Sequence, residues 1–211
     1  DCNYNKKYNK KVQFGISPTG VYKNGDGKVT YGMNKNAVTT GSLTRVGQHY
    51  AAHLFADTLK WVNNGWIDYI LPHPYMAFDY PIQGFGNVIS WWDKVVEYKN
   101  VNLFAGIGLF IANAESGAYG WGDNPNEFYD QLIYVNKGKN IDGAAIYNFN
   151  TLRKLRDGEN TMATTQIKNG VKAWKNKVPP PEIKSFERII LGKPTNVTFE
   201  NNTISFNKIN G

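Results

Sequence analysis

An α/β fold built on a parallel sheet follows from three observations. Four short apolar runs recur along the chain, at Val12–Pro18, Trp66–Tyr75, Val101–Leu109 and Ile141–Tyr147. Each is strand-length and close to continuous rather than alternating, the pattern of a parallel strand covered on both faces. The intervals between them are long enough for the crossovers that parallel strands require. Finally, Val178-Pro179-Pro180-Pro181 interrupts the repeat like a linker, and residues 182–211 change character. The expectation is an array of (βα) units followed by a short β-rich tail. A closed (β/α)8 barrel takes about 250 residues. Only 177 residues precede Val178, so four units make part of a barrel rather than a whole one.

The elements read in order as follows. Residues 1–11 are a polar lead-in. After the first strand, 19–47 is rich in Gly, Asn and Thr without periodicity, and reads as a long loop. Residues 48–63 carry Tyr50, Leu54, Leu59, Trp61 and Val62 at helical spacing, and Asn63-Asn64-Gly65 stops that helix. An aromatic, glycine-punctuated loop at 76–86 precedes a helix near 87–99. The stripe of that helix is Val88, Trp91, Trp92, Val95 and Val96. The two adjacent tryptophans point to different sides of a helix, one toward the sheet and one toward a neighbouring helix. A loop at 113–125 leads into a helix at 126–138, and 150–157 and 161–175 also read as helical. In the tail, Asn196–Phe199 and Thr203–Asn207 flank Asn201-Asn202, the signature of a hairpin.

Composition narrows the function classes. The net charge is +7, but the lysines are scattered among asparagines and no zinc spacing or RNA-binding strand accompanies them. A nucleic-acid partner is therefore not expected. No run approaches the roughly 18 apolar residues of a membrane span. The lone cysteine, Cys2, excludes an intrachain disulfide. His49 and His53 stand four apart, but no Glu follows the first of them, so the zinc-protease pattern is absent and no metal is expected. No phosphate-binding Lys-Ser/Thr pair follows Gly106, Gly108 or Gly143, and no cofactor is expected. Asp68, inside an apolar run, is expected to accept hydrogen bonds structurally.

Several segments resemble a known family. They are Phe14-Gly-Ile-Ser-Pro-Thr-Gly-Val21, Ala56-Asp-Thr-Leu-Lys-Trp-Val62, Gly65-Trp-Ile-Asp-Tyr-Ile-Leu-Pro-His-Pro-Tyr75 and the Trp91-Trp92 pair. In order and spacing they are similar to the glycoside-hydrolase-like family 10 proteins, bacterial (β/α)8 barrels, over residues 12–175. The resemblance implies that residues 1–177 are the C-terminal half of such a barrel, strands five to eight. It also implies a Pro-rich linker at 178–181 and the start of a fibronectin-III-like domain at 182–211. The family has Gln where this chain has His73. Its strand-four Asp-Asp-Tyr motif has no counterpart here and would lie upstream.

The resemblance implies a glycan substrate, a bacterial cell-wall or other polysaccharide, and an extracellular or cell-surface location. Residues 1–11 lack the apolar core of a signal peptide, which leaves export open for a stretch inside a longer protein. Glycoside hydrolysis normally needs two carboxyl groups flanking the scissile bond, and barrel enzymes keep such groups at the C-terminal ends of their strands. Here those ends carry Ser17, His73, Tyr75, Asn113, Tyr147 and Asn148, a sugar-binding mixture of rings and polar tips without a carboxylate. The nearest acids are Asp79 and Glu115, in the loops just beyond. The parent is thus expected to be a glycoside hydrolase and the isolated stretch inactive. The alternative is a non-catalytic carbohydrate-binding or surface-interaction protein on a barrel scaffold. Unpaired edge strands are expected to drive self-association or pairing with the missing half.

Overall fold

The computed structural model describes residues 12–46, 54–113, 118–174, 176, 179–186 and 195–207. Its main sheet contains β1 (Gly15–Ile16), β4 (Tyr69–Ile70), β5 (Asn102–Ile107) and β6 (Ile141–Ile146), all parallel and in that order. These are the four apolar runs, and neighbours in sequence are neighbours in space. Two antiparallel hairpins stand apart from it: β2 (Val29–Tyr31) with β3 (Ala37–Thr39), and β7 (Thr198–Glu200) with β8 (Thr203–Ser205). The helices are α1 (Thr58–Asn63), α2 (Phe85–Val95), α3 (Glu127–Lys137), α4 (Phe149–Arg156) and α5 (Met162–Gly170).

Strand burial is uneven, which corrects the expectation of strands covered on both faces. In β5 every residue but Phe104 is buried, whereas β1 and β6 are only half-buried, with Ala144 exposed. The reason is position, since among the described residues β1 pairs only with β4 and β6 only with β5. On the helix-bearing face, Ile70 and Leu103 pack with Val62, Val88, Val95 and the tryptophans of α2. Further along, Ala105 and Ile107 join Phe85, Ile89, Phe128, Leu132 and Ile167 in a second cluster.

α2 buries both Trp91 and Trp92 completely, and their rings meet edge-to-face at 4.7 Å. Both lie in one cluster with Ile70 and Leu103 of the sheet and Val62 of α1. The 19–46 excursion makes this possible by folding over α2. Trp92 Nε1 donates to the Gly20 carbonyl at 2.7 Å, Trp91 Nε1 donates to Thr39 Oγ1 at 3.0 Å, and Tyr22 stacks on Trp91. The segment read as an irregular loop therefore contains β2 and β3 and forms part of the core. Asp26 accepts from Lys28 N at 3.0 Å and Thr40 Oγ1 at 2.7 Å, closing the Asn24–Gly27 turn with protein partners.

The helix read over 48–63 is corrected where it is described: residues 55–57 are not helical, with Phe55 at φ 48°, and α1 begins only at Thr58, capped by Asp57, whose carboxylate accepts from Lys60 N at 3.0 Å. The paired histidines, His49 and His53, lie outside the described residues. The tail hairpin turns at Asn201 and Asn202, whose φ angles of 50° and 60° are the left-handed values that an antiparallel two-residue turn requires. No described helix is long and apolar enough to cross a membrane.

Asp68 has the expected structural role. It immediately precedes β4, and its Oδ2 accepts from Phe14 N at 2.7 Å, tying β4 to the approach of β1. Asp142 repeats the arrangement in β6, accepting from Leu103 N at 2.9 Å.

Candidate functional site

The C-terminal ends of the parallel strands converge because the hydrogen-bond ladder continues past each strand. Leu71 N donates to Ile16 O, His73 N to Pro18 O, Gly106 N to Pro72 O and Tyr147 N to Ile107 O, all at 2.8–2.9 Å. The segment Leu71–Tyr75 is thereby held between the ends of β1 and β5. Pro72 and Pro74 lack an N–H, so His73 and Tyr75 supply the backbone donors there.

Four aromatic residues meet at this end. The His73 ring stacks on Tyr75 with centroids 5.0 Å apart and planes 14° apart, and Tyr75 stacks on Tyr147 at 5.9 Å and 27°. Phe110, in the 3-10 turn Leu109–Asn113, meets Tyr75 edge-on at 5.7 Å and Tyr147 at 5.5 Å. Glycines let the rings sit this low. A Cβ at Gly106 would lie 2.6 Å from His73 Cδ2, and one at Gly108 would lie 2.6 Å from Tyr75 Cβ. Tyr147 keeps 53% of its surface exposed, so the terrace is open to solvent.

Ser17 sits at the rim, where its hydroxyl contacts His73 Nε2 and lies 3.1 Å from the Leu71 carbonyl. A neutral imidazole accepts the Ser17 proton at Nε2. If Nε2 carries a proton, that nitrogen donates to Ser17 instead, and the hydroxyl turns to Leu71 O. Burial pushes the His73 imidazole below its ordinary value, which favours the neutral ring at pH 7. Burial also pushes the Tyr75 hydroxyl up, with a contribution from Tyr147, so it remains a neutral donor.

Ser17, His73, Tyr75 and Tyr147 thus come together, and the structure adds Phe110. The two asparagines are engaged in helix capping. Asn113 Oδ1 accepts from Ala163 N at 2.8 Å at the start of α5, and Asn148 Oδ1 accepts from Thr151 N at 3.1 Å as the cap of α4. Glu115 lies outside the described residues. Asp79 lines a separate cleft of about 360 Å³ with Phe78, Asn124, Glu127, Asp130 and Tyr134, to which no residue of the terrace contributes.

Sequence reasoning did not single out Glu127 of that cleft. The residue is only 4% exposed, and its Oε1 accepts from Phe78 N at 2.6 Å and Gln131 Nε2 at 2.8 Å. Burial raises its carboxyl above the ordinary range, against those two hydrogen bonds. Its contacts fix the loop after β4 to the first turn of α3. Among the described residues no carboxylate hydrogen-bonds to Ser17, His73, Tyr75 or Tyr147. Nor do any three of the His, Cys, Asp and Glu side chains described gather as a metal site. The terrace can therefore stack on apolar faces and exchange hydrogen bonds through Ser17 and the tyrosine hydroxyls.

Comparison with known proteins places this arrangement in context. The family model described as glycosyl hydrolase-like 10 matches residues 4–116. Glycosyl hydrolase YngK of Bacillus subtilis is 29% identical over 143 residues, which are 68% of this chain and 26% of the relative. Glycosyl hydrolase DigH of Escherichia coli K12 is 32% identical over 99 residues, 47% of this chain and 20% of the relative. The chain thus matches about a quarter or less of the length of these relatives. The family match takes in more than half of the 211 residues, including Ser17, His73, Tyr75 and Phe110, and the chain belongs to the glycosyl hydrolase-like 10 family.

Proposed function

We propose that this chain supplies the sugar-binding portion of a glycoside hydrolase-like protein acting on a bacterial cell-wall or other polysaccharide. The observation that carries the proposal is the terrace of His73, Tyr75, Phe110 and Tyr147, with Ser17 at its rim, at the C-terminal ends of a parallel sheet. A pyranose presents an apolar C–H face and a belt of hydroxyls. Stacked rings cover the first, and Ser17 and the tyrosine hydroxyls bond the second. The names of the relatives, each a glycosyl hydrolase, support a glycan rather than another flat ligand.

Under this reading the sheet is strands five to eight of a (β/α)8 barrel, and β1 and β6 pair with the upstream half or with a second copy. The carboxyl groups that break the glycosidic bond come from outside this chain, so alone it binds sugar weakly and turns none over. A non-catalytic carbohydrate-binding role is the second reading, favoured by the absence of any carboxylate bonded to the terrace among the described residues. The location proposed is extracellular or cell-surface, where such a polysaccharide is found.

The test is hydrolysis of peptidoglycan, followed by release of reducing ends, with this chain alone and with the upstream half of its parent added. Turnover only with both parts supports the enzyme. Binding without turnover in the combined sample selects the non-catalytic reading. Absence of binding refutes both.

A further inference from the structure

The opposite ends of the same strands carry polar side chains of a different kind. Asp68 precedes β4, Asn102 opens β5 and Asp142 is the second residue of β6, so three adjacent strands each begin on an amide or a carboxylate. All three bind a single short stretch of chain beyond the proline run. The fully buried Asn102 uses both ends of its amide: Nδ2 donates to the Glu182 carbonyl at 3.0 Å, and Oδ1 accepts from Lys184 N at 2.9 Å. That exchange with two backbone groups of one segment reproduces what a neighbouring strand would offer. Lys184 Nζ then reaches Asp142 Oδ2 at 2.8 Å, and Ser185 Oγ donates to Asp68 Oδ1 at 2.5 Å.

We propose that Asp68, Asn102 and Asp142 form a docking floor for a short peptide segment that ends in a turn, and that residues 182–186, closed by Phe186 N donating to Ile183 O at 3.1 Å, occupy it as a strap across the N-terminal ends of the sheet. The floor reads three features: a backbone carbonyl and N–H two residues apart, a cation on the second of those residues, and a hydroxyl on the next. Each acidic side chain of the floor serves two partners. Asp68 holds Phe14 N as well as Ser185, and Asp142 holds Leu103 N as well as Lys184, so the strap is linked to the backbone of β5 and of the approach to β1. Without the strap, Asn102 is a buried amide lacking both partners, a costly arrangement that favours occupancy. The strap also fixes where the chain leaves the sheet, at the end opposite the aromatic terrace. It is independent of the glycan reading.

The experiment is amide hydrogen exchange on the full chain, comparing wild type with two variants changed only in the strap. Lys184→Pro removes the N–H that Asn102 accepts, and Lys184→Ala/Ser185→Ala removes the side-chain contacts with the backbone intact. Neither touches the apolar core, so folding is retained where Asn102→Ala risks losing it. Exchange at the amides that each variant retains over 182–186 is expected to quicken about tenfold or more, with a smaller rise at Leu103 in β5. Exchange over 182–186 unchanged from wild type in both variants overturns the proposal, because the floor would then be holding the segment through neither its backbone nor its side chains.

Discussion

At the N-terminal ends of the strands, Asp68, Asn102 and Asp142 direct their polar atoms to protein partners, chiefly backbone. At the C-terminal ends, His73, Tyr75, Phe110 and Tyr147 touch mainly one another and leave ring surface exposed. Both ends belong to one sheet and lie only a strand's length apart, yet one is closed and the other open. The difference teaches which polar residue has a function beyond the fold. A carboxylate whose lone pairs are filled by N–H groups is structural, however suggestive its chemistry. A hydroxyl between two acceptors on an exposed rim is available to a ligand.

The largest expected effect lies at the closed end. Asn102→Ala removes the hydrogen bonds to Glu182 O and Lys184 N and opens a small void, and should cost about 2–4 kcal/mol of unfolding free energy in a denaturant titration. At the open end the pattern reverses. Tyr147→Ala should change stability by only about 0.5 kcal/mol. The same substitution should weaken oligosaccharide binding about tenfold, which calorimetry reads as about 1.4 kcal/mol. A Tyr147→Ala protein that loses stability but not affinity would erase the distinction between the two ends.

Acid sharpens the comparison further. The His73 imidazole in the folded protein lies below its unfolded value near 6.5, so between these two values the unfolded chain binds more protons. Stability contributed by neutral His73 is therefore intact above about pH 6.5 and lost as the pH falls toward the folded value. His73→Gln should flatten the melting temperature in that window, and a wild-type curve already flat there would contradict the assignment.

The smallest effect concerns Glu127, whose carboxyl is raised by burial, so its contribution falls as the pH rises above its ordinary range. Glu127→Gln keeps an acceptor for Phe78 N and removes the buried charge. Thermal melts at pH 7 should show stability unchanged or higher, by up to about 1 kcal/mol.

The four parallel strands were legible because central strands must be apolar, and their crossovers leave long gaps. The tail hairpin was legible because Asn201 and Asn202 favour the left-handed backbone that its turn adopts. What escaped notice depends on tertiary partners. β2 and β3 are three residues each, too short for a period, and are held by contacts such as Tyr31 Oη to the Lys94 carbonyl at 2.9 Å. The shared burial of Trp91 and Trp92 required the Gly20 carbonyl and Thr39 hydroxyl from that same excursion.

Ser17, His73, Tyr75 and Tyr147 were singled out by their position at strand ends, and the structure brings the four together. Asn113 and Asn148 satisfied the same rule, yet each caps a helix, since an asparagine after a strand can serve either purpose. The helix read from residue 150, just after Asn148, was a usable signal for capping. Phe110 gave no comparable signal, because only the turn after β5 carries it over Tyr75.

The most direct test of the sugar-binding claim is a titration of the full chain with peptidoglycan oligosaccharides, monitored through the ring resonances of Tyr75 and Tyr147 by NMR. Chito-oligosaccharides and cello-oligosaccharides should be run alongside. We expect those two rings and His73 to shift together, with one affinity that Tyr147→Ala weakens about tenfold. Rings that stay fixed with every oligosaccharide, or shifts confined to the cleft of Asp79 and Glu127, would contradict it.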